Sequence, residues 1–188
     1  MNLKELSAHV DGLKNGRSAT LKAAIQNVVS NYSGARMIET GCYRGTDPYS
    51  SSTFILGHLA NILKTQLISI DINIEHIASA EALMKKEGLS ESVICGCGDS
   101  VLSLGRIFGP IEFLYLDSLD FEKDRPIVCQ RHQLAELGAA LGKFNPGATL
   151  LLDDYQLLER GKCGLSVDFL AERGFKPTLI DYQVLYCF

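Results

Sequence analysis

A chain of 188 residues has room for one sizeable hydrophobic core, because a domain usually takes ~100–200 residues. Hydrophobic residues make up 46% and charged residues 21%, close to globular averages, which excludes a disordered acidic tail and a fibrous repeat. Eighteen Lys and Arg against 22 Asp and Glu give a net charge of −4 without a basic block. That balance argues against nucleic-acid or membrane-surface partners and makes a small-molecule ligand the default.

Leu3, Leu6, Val10 and Leu13 recur at helical spacing, and after the break at Lys14, Asn15 and Gly16 so do Leu21, Ala24, Ile25 and Val28. Residues 1–35 therefore read as a helical N-terminal extension and residues 36–188 as the main domain. From Arg36 onward short apolar runs alternate with helical stretches, as when crossover helices cover a parallel sheet. Strands are expected over Arg36–Thr40, Gln66–Asp71, Val93–Cys97, Ile111–Asp117 and Ala148–Asp153. Helices are expected over Ser51–Lys64, Ile74–Glu87, Val101–Ile107 and Ile127–Leu141, with a last one near Leu165–Arg173 ended by Gly174. The tail KPTLIDYQVLYCF reads as one or two closing strands. The expected architecture is a Rossmann-like, doubly wound α/β fold with a mostly parallel sheet.

The six cysteines form no CxxC pair and have no pair of nearby histidines, so zinc spacing is missing and the thiols read as reduced and cytosolic. The N-terminal residues carry charges throughout where a signal peptide needs an apolar stretch, and no later apolar run is long enough to span a membrane. A cytoplasmic protein is the expectation, and a homo-oligomer is compatible with it.

A doubly wound sheet binds ligands outside the carboxyl ends of its strands. The first strand runs into Glu39-Thr40-Gly41-Cys42-Tyr43-Arg44-Gly45, where Gly41 and Gly45 let backbone approach a ligand. A nicotinamide-dependent oxidoreductase would prefer GxGxxG, with an acid ~20 residues on. Here the glycines are spaced GxxxG and Asp71 lies 30 positions after Gly41, while Glu39 would repel a pyrophosphate. Asp71 ends LISID and can accept hydrogen bonds from a ribose diol; Asp99, in GCGDS after the third strand, is placed where it can face an adenine edge or its amino group. Each acid alone reads as a helix cap. Glu39, Asp71 and Asp99, after three successive strands, suit a ligand with an ammonium, a sulfonium and a ribose diol.

ETGCYRGT, LISIDIN, CGDSVLSL, IEFLYLDSLD and GATLLLDDYQ together resemble the successive motifs of class I S-adenosylmethionine-dependent methyltransferases, closest to small-molecule O-methyltransferases of the catechol and macrocin kind. The resemblance runs from about Met37 to the C-terminus. It implies a seven-stranded sheet and S-adenosyl-L-methionine as cofactor, with Glu39, Thr40, Gly41 and Gly45 near its methionine part, Asp71 on the ribose hydroxyls, and Asp99 with Ser100 beside adenine. It also implies a divalent cation such as magnesium held by Asp117, Asp153 and Asp154, which would bind the acceptor oxygen and lower its pKa. The alternative for these three acids is solvated strand ends and caps. Relatives carry Lys or His three residues after the strand-four acid, whereas this sequence has Asp120. Asp120 is the candidate base or a further ligand, with Lys123 and His132 as alternatives, and His9, His58 and His76 read as structural or exposed. A non-catalytic module with the same fold is the runner-up.

Overall fold

The computed structural model describes residues 1–14 and 16–188; Asn15, in the break between the first two helices, lies outside them. Helices α1 (Leu3–Asp11) and α2 (Ser18–Asn31) lead into strand β1 (Met37–Thr40), and then helices and strands alternate. These are α3 (Ser52–Leu63), β2 (Leu67–Asp71), α4 (Ile74–Lys86), β3 (Val93–Cys97), α5 (Ser100–Arg106), β4 (Ile111–Leu116), α6 (Pro126–Ala140), β5 (Phe144–Leu152) and α7 (Gly164–Glu172). A closing hairpin of β6 (Leu179–Ile180) and β7 (Val184–Cys187) completes one sheet in the order β3-β2-β1-β4-β5-β7-β6. The first five strands are parallel and β7 is antiparallel to both β5 and β6.

The strands formed where continuous apolar runs were expected because both faces of the sheet are covered. All of β1 and β4 is buried. Alternate residues serve opposite cores: Met37, Phe113, Tyr115, Leu151 and Leu185 meet Leu6, Val10, Leu21, Val28, Phe54 and Leu59 of α1–α3. Ile38, Leu114, Leu116, Leu150 and Tyr186 meet Leu104, Leu137 and Leu170 of α5–α7. The N-terminal helices thus form part of the layer covering one face of the sheet.

Helix starts carry their expected caps. Asn2 and Glu5 form a reciprocal capping box, Ser51 accepts from the Phe54 N–H at 3.3 Å, and Asp99 accepts from the Leu102 N–H at 2.8 Å. Gly174, at φ 81°, ends the last helix as expected. Among the described residues no helix is long and apolar enough to cross a membrane.

One boundary differs from the sequence reading by more than a residue. Strand β5 begins at Phe144 rather than Ala148, because Phe144 pairs with Ile111 and the register then shifts, with Thr149 beside Phe113. That irregularity accommodates Pro146, which has no N–H to give a ladder. The tail is two strands, turned through Asp181–Gln183.

Strand order reverses between β1 and β4. Chain flow leaves β1 toward β2 on one side and returns through β4 on the other, opening a crevice at their carboxyl ends.

Candidate active site

The crevice is built from the turns after β1, β4 and β5. Gly41 follows β1 at φ 81°, where its N–H donates to the Ile70 carbonyl at 2.8 Å. A Cβ there would lie 2.8 Å from the carbonyl carbon of Asp117 and 3.0 Å from the Cα of Ser118. Only glycine lets the β1 and β4 turns meet this closely. Beside them lies a cavity of about 270 Å³ bordered by Arg17, Gly41, Arg44, Asp117, Asp120 and Asp154, with the 3-10 turn Pro48–Ser50 along one edge. A larger cavity of about 800 Å³ lies at the amino ends of β1, β2 and β4, beside Arg36, Gln66 and Glu112. That is the end of the sheet away from the strand-end acids.

The expected site residues fall in different places, with Asp153 buried behind the cavity wall. Gly41, Asp117, Asp120 and Asp154 border the small cavity. Asp71, Asp99 and Ser100 lie along the carboxyl ends of β2 and β3. Glu39 and Thr40 are fully buried within β1 rather than bordering the cavity. Gly45, at φ 89°, lies beside Ser79.

Glu39 Oε1 accepts from Thr53 Oγ1 at 2.5 Å and Ser69 Oγ at 2.6 Å, while Oε2 has no partner. Burial outweighs these hydrogen bonds and pushes its carboxyl up to about 7. The Asp71 carboxylate is 6% exposed and accepts from the Cys42 N–H at 3.1 Å and the Asn73 N–H at 2.8 Å. His76 Nδ1 lies 3.2 Å from both of its oxygens. Any ligand hydroxyl that bonds to this carboxylate would share it with His76 or displace it. Asp99 is exposed beside the cap it provides, and Ser100 Oγ lies 3.3 Å from His132 Nε2.

Asp117, Asp153 and Asp154 converge, with one oxygen of each within 4.8 Å of the others. Two cations converge with them. Arg17 Nε donates to Asp153 Oδ1 at 3.1 Å and Arg17 Nη2 donates to Asp153 Oδ2. Lys162 Nζ, with its side chain 3% exposed, donates to Asp117 Oδ1 and lies 3.1 Å from Asp154 Oδ2. Gln183 Nε2 donates to Asp153 Oδ1 at 2.7 Å, and the Tyr182 hydroxyl donates to Asp154 Oδ1 at 2.6 Å. Four of the six carboxylate oxygens thus accept hydrogen bonds from this chain's own donors, and the other two face its cations: Asp154 Oδ2 at 3.1 Å from Lys162 Nζ and Asp117 Oδ2 at 3.6 Å from Arg17 Nη2.

Burial and the neighbouring Asp117 push Asp153 up to about 7 against the pull of Arg17 and Lys162. Asp117 moves the other way: burial opposes its charge, but Lys162 and Arg17 outweigh it. The Lys162 ammonium is held well above its ordinary range, because the three acids overcome the burial that disfavours it.

Arg17 and Lys162 were not singled out in the sequence. Arg17 lies at the start of α2 and reaches a residue 136 positions later. Lys162 is brought in by Gly161, which packs directly on the Asp154 backbone, 2.7 Å from its carbonyl carbon to the position a Cβ would take. The only sequence cue was a lysine shortly after an acidic pair. Asp120, the candidate base, is exposed and paired with Arg44 Nη1 at 2.5 Å. Lys123 is exposed, and the His132 ring lies 2.9 Å from Ser118 Oγ; neither borders the cavity.

No protein-family model matches the sequence, and no curated protein does. Solved structures match over most of the chain. The O-methyltransferase NovP superposes with a TM-score of 0.66 at 13% identity, covering 98% of this chain and 79% of its own. The O-methyltransferase from Bacillus cereus, solved with S-adenosylhomocysteine, gives 0.61 at 14% identity over 98% and 88%. The fold is that of class I methyltransferases. A putative rRNA-methylase from Clostridium thermocellum gives 0.64 at 16% identity over 93% and 97%. NSun6 from Pyrococcus horikoshii gives 0.62 at 17% identity, and there the chain covers 82% of itself but spans only 41% of that protein.

Proposed function

We propose that this chain is an S-adenosylmethionine-dependent methyltransferase acting on a hydroxyl oxygen of a small molecule. The observation that carries the reading is the division of polar groups around the switch point. Asp71 and Asp99 end the β2 and β3 side, while Asp117, Asp120 and Asp154 border a separate small cavity on the β4 and β5 side. A nucleoside-bearing cofactor laid across the first set would present its other end to the second, and about 270 Å³ suits a small acceptor group.

When bound, S-adenosylmethionine supplies an electrophilic methyl group. Asp71 would take the ribose hydroxyls, Asp99 and Ser100 the base, and the Gly41–Gly45 turn the methionine part. Glu39, buried behind that turn, would fix its shape through Thr53 and Ser69 rather than touch the ligand. Asp117 orients the acceptor by accepting a hydrogen bond from another of its polar groups, which leaves the proton of the reacting hydroxyl to Asp120. Asp120 takes the proton, because it borders the cavity outside the ion-paired cluster of Arg17 and Lys162. The principal gain in rate comes from aligning the two reacting atoms ~3–3.5 Å apart, so few catalytic side chains are required.

The test is transfer of a labelled methyl group from S-adenosylmethionine to a panel of phenolic, catecholic and sugar hydroxyl acceptors. Label recovered as a methyl ether with at least one acceptor supports the reading. No transfer to any acceptor by protein that binds the cofactor would favour a non-catalytic role.

A further inference from the structure

The three strand-end acids would suit a hard cation by residue type, yet their oxygens are committed to donors within the chain. Magnesium requires near-octahedral oxygen coordination at ~2.0–2.1 Å. To reach it among Asp117, Asp153 and Asp154, an ion would have to take Asp117 and Asp154 from Lys162 and Asp153 from Arg17, then sit beside both positive charges. Neither cation is placed to retreat easily. Lys162 is buried to 3% exposure, and a buried ammonium without counter-charges is strongly destabilising. Arg17 is fixed in a forked contact on a carboxylate that is itself fully buried. Gln183 also secures Asp153 by joining it to the Tyr115 hydroxyl and, through its carbonyl, to Thr20.

We infer that the Lys162 ammonium, with the Arg17 guanidinium, takes the place of a divalent cation among Asp117, Asp153 and Asp154, so that this site is built to exclude a metal. Lysine suits the role because its compact charge and three donors can join two carboxylates. Lys162 is a positioning residue: it holds Asp117 and Asp154 at the cavity wall and is not among the groups bordering the cavity itself.

The experiment is a titration of Mn²⁺ into the full chain, read by the paramagnetic resonance signal of the free aqua ion. It involves no methyl donor, so its outcome is separate from that of the methyltransferase reading. The wild-type protein is expected to leave the free signal intact at equimolar, micromolar concentrations. Lys162→Gln, which removes the charge and keeps a donor, is expected to bind Mn²⁺ roughly tenfold or more tightly than the wild type. Wild-type binding that disappears in Asp154→Ala, which removes the ligand oxygens, would overturn the proposal, and so would a folded Lys162→Gln that gains no affinity. If Lys162→Gln does not fold, wild-type melting in Mg²⁺ against chelator decides. No difference supports exclusion, and a rise in melting temperature that is absent from Asp154→Ala overturns it.

Discussion

Replacing Gly41 by alanine tests whether the β1 turn and the β4 turn depend on each other. Gly41 sits at φ 81°, and an L-residue in that region costs ~1–2 kcal/mol. Its new Cβ would also stand 2.8 Å from the Asp117 carbonyl carbon and 3.0 Å from the Ser118 Cα, closer still to the Asp117 oxygen. All three atoms are backbone, so no side chain can swing away, and overpacking of this kind adds ~1–3 kcal/mol. Gly45 provides the control. Its φ is 89°, but the nearest atom to a Cβ is Ser79 Oγ at 3.6 Å, an ordinary contact. Both substitutions gain the same fraction of a kcal/mol from a stiffer unfolded chain. Gly41→Ala should therefore lose about 2–5 kcal/mol and Gly45→Ala about 1–2 kcal/mol. Urea unfolding followed by far-ultraviolet circular dichroism measures both, with the midpoint of Gly41→Ala falling two to three times as far at an unchanged slope. Equal midpoint losses would refute the close approach of the two turns, and with it the geometry proposed for the crevice.

Three other outcomes are expected. Asp71→Ala should weaken S-adenosylhomocysteine binding by ~1.5–3 kcal/mol in calorimetry while leaving the fold intact, the scale of hydrogen bonds to a charged group. Asp120→Asn should lower the methyl-transfer rate by ~10²-fold or more without altering cofactor affinity, as loss of a general base does; an unchanged rate would remove Asp120 from proton transfer. Glu39 has its carboxyl raised from 4.5 to about 7 in the folded state, so the folded protein keeps a proton that the unfolded chain releases between those values. Its contribution to stability is full below about 4.5 and is lost as pH rises through about 7, to a total of ~3 kcal/mol, and Glu39→Gln should remove that part of the decline in denaturant titrations from pH 4.5 to 8.

The sheet was legible because its parallel strands are covered on both faces, which leaves largely apolar runs such as IEFLYL, followed at once by the acid Asp117. The start of β5 was not, because Phe144-Asn145-Pro146-Gly147 carries the signature of a turn, and only the irregular pairing with β4 draws it into the sheet. At the site, the acids were readable because each terminates a strand and fold geometry places strand ends together. Their partners were not. Arg17 and Lys162 reach Asp153 and Asp117 across 136 and 45 positions, and no local spacing marks a lysine that will be buried among carboxylates. His76 was set aside as a residue within a helical pattern, yet the first turn of α4 swings its ring onto Asp71. Asp99 does serve the capping role that its position before α5 predicts, while its exposure leaves the same carboxylate open to a ligand.

The account turns on whether the carboxyl ends of β1, β2 and β3 form a site for the methyl donor. Titration calorimetry of the wild-type chain with S-adenosylhomocysteine, in the presence of chelator, tests this directly. One-to-one binding is predicted under those conditions, with no heat from NAD in the same cell. Absence of heat and of any melting shift with S-adenosylhomocysteine at millimolar concentration would contradict it.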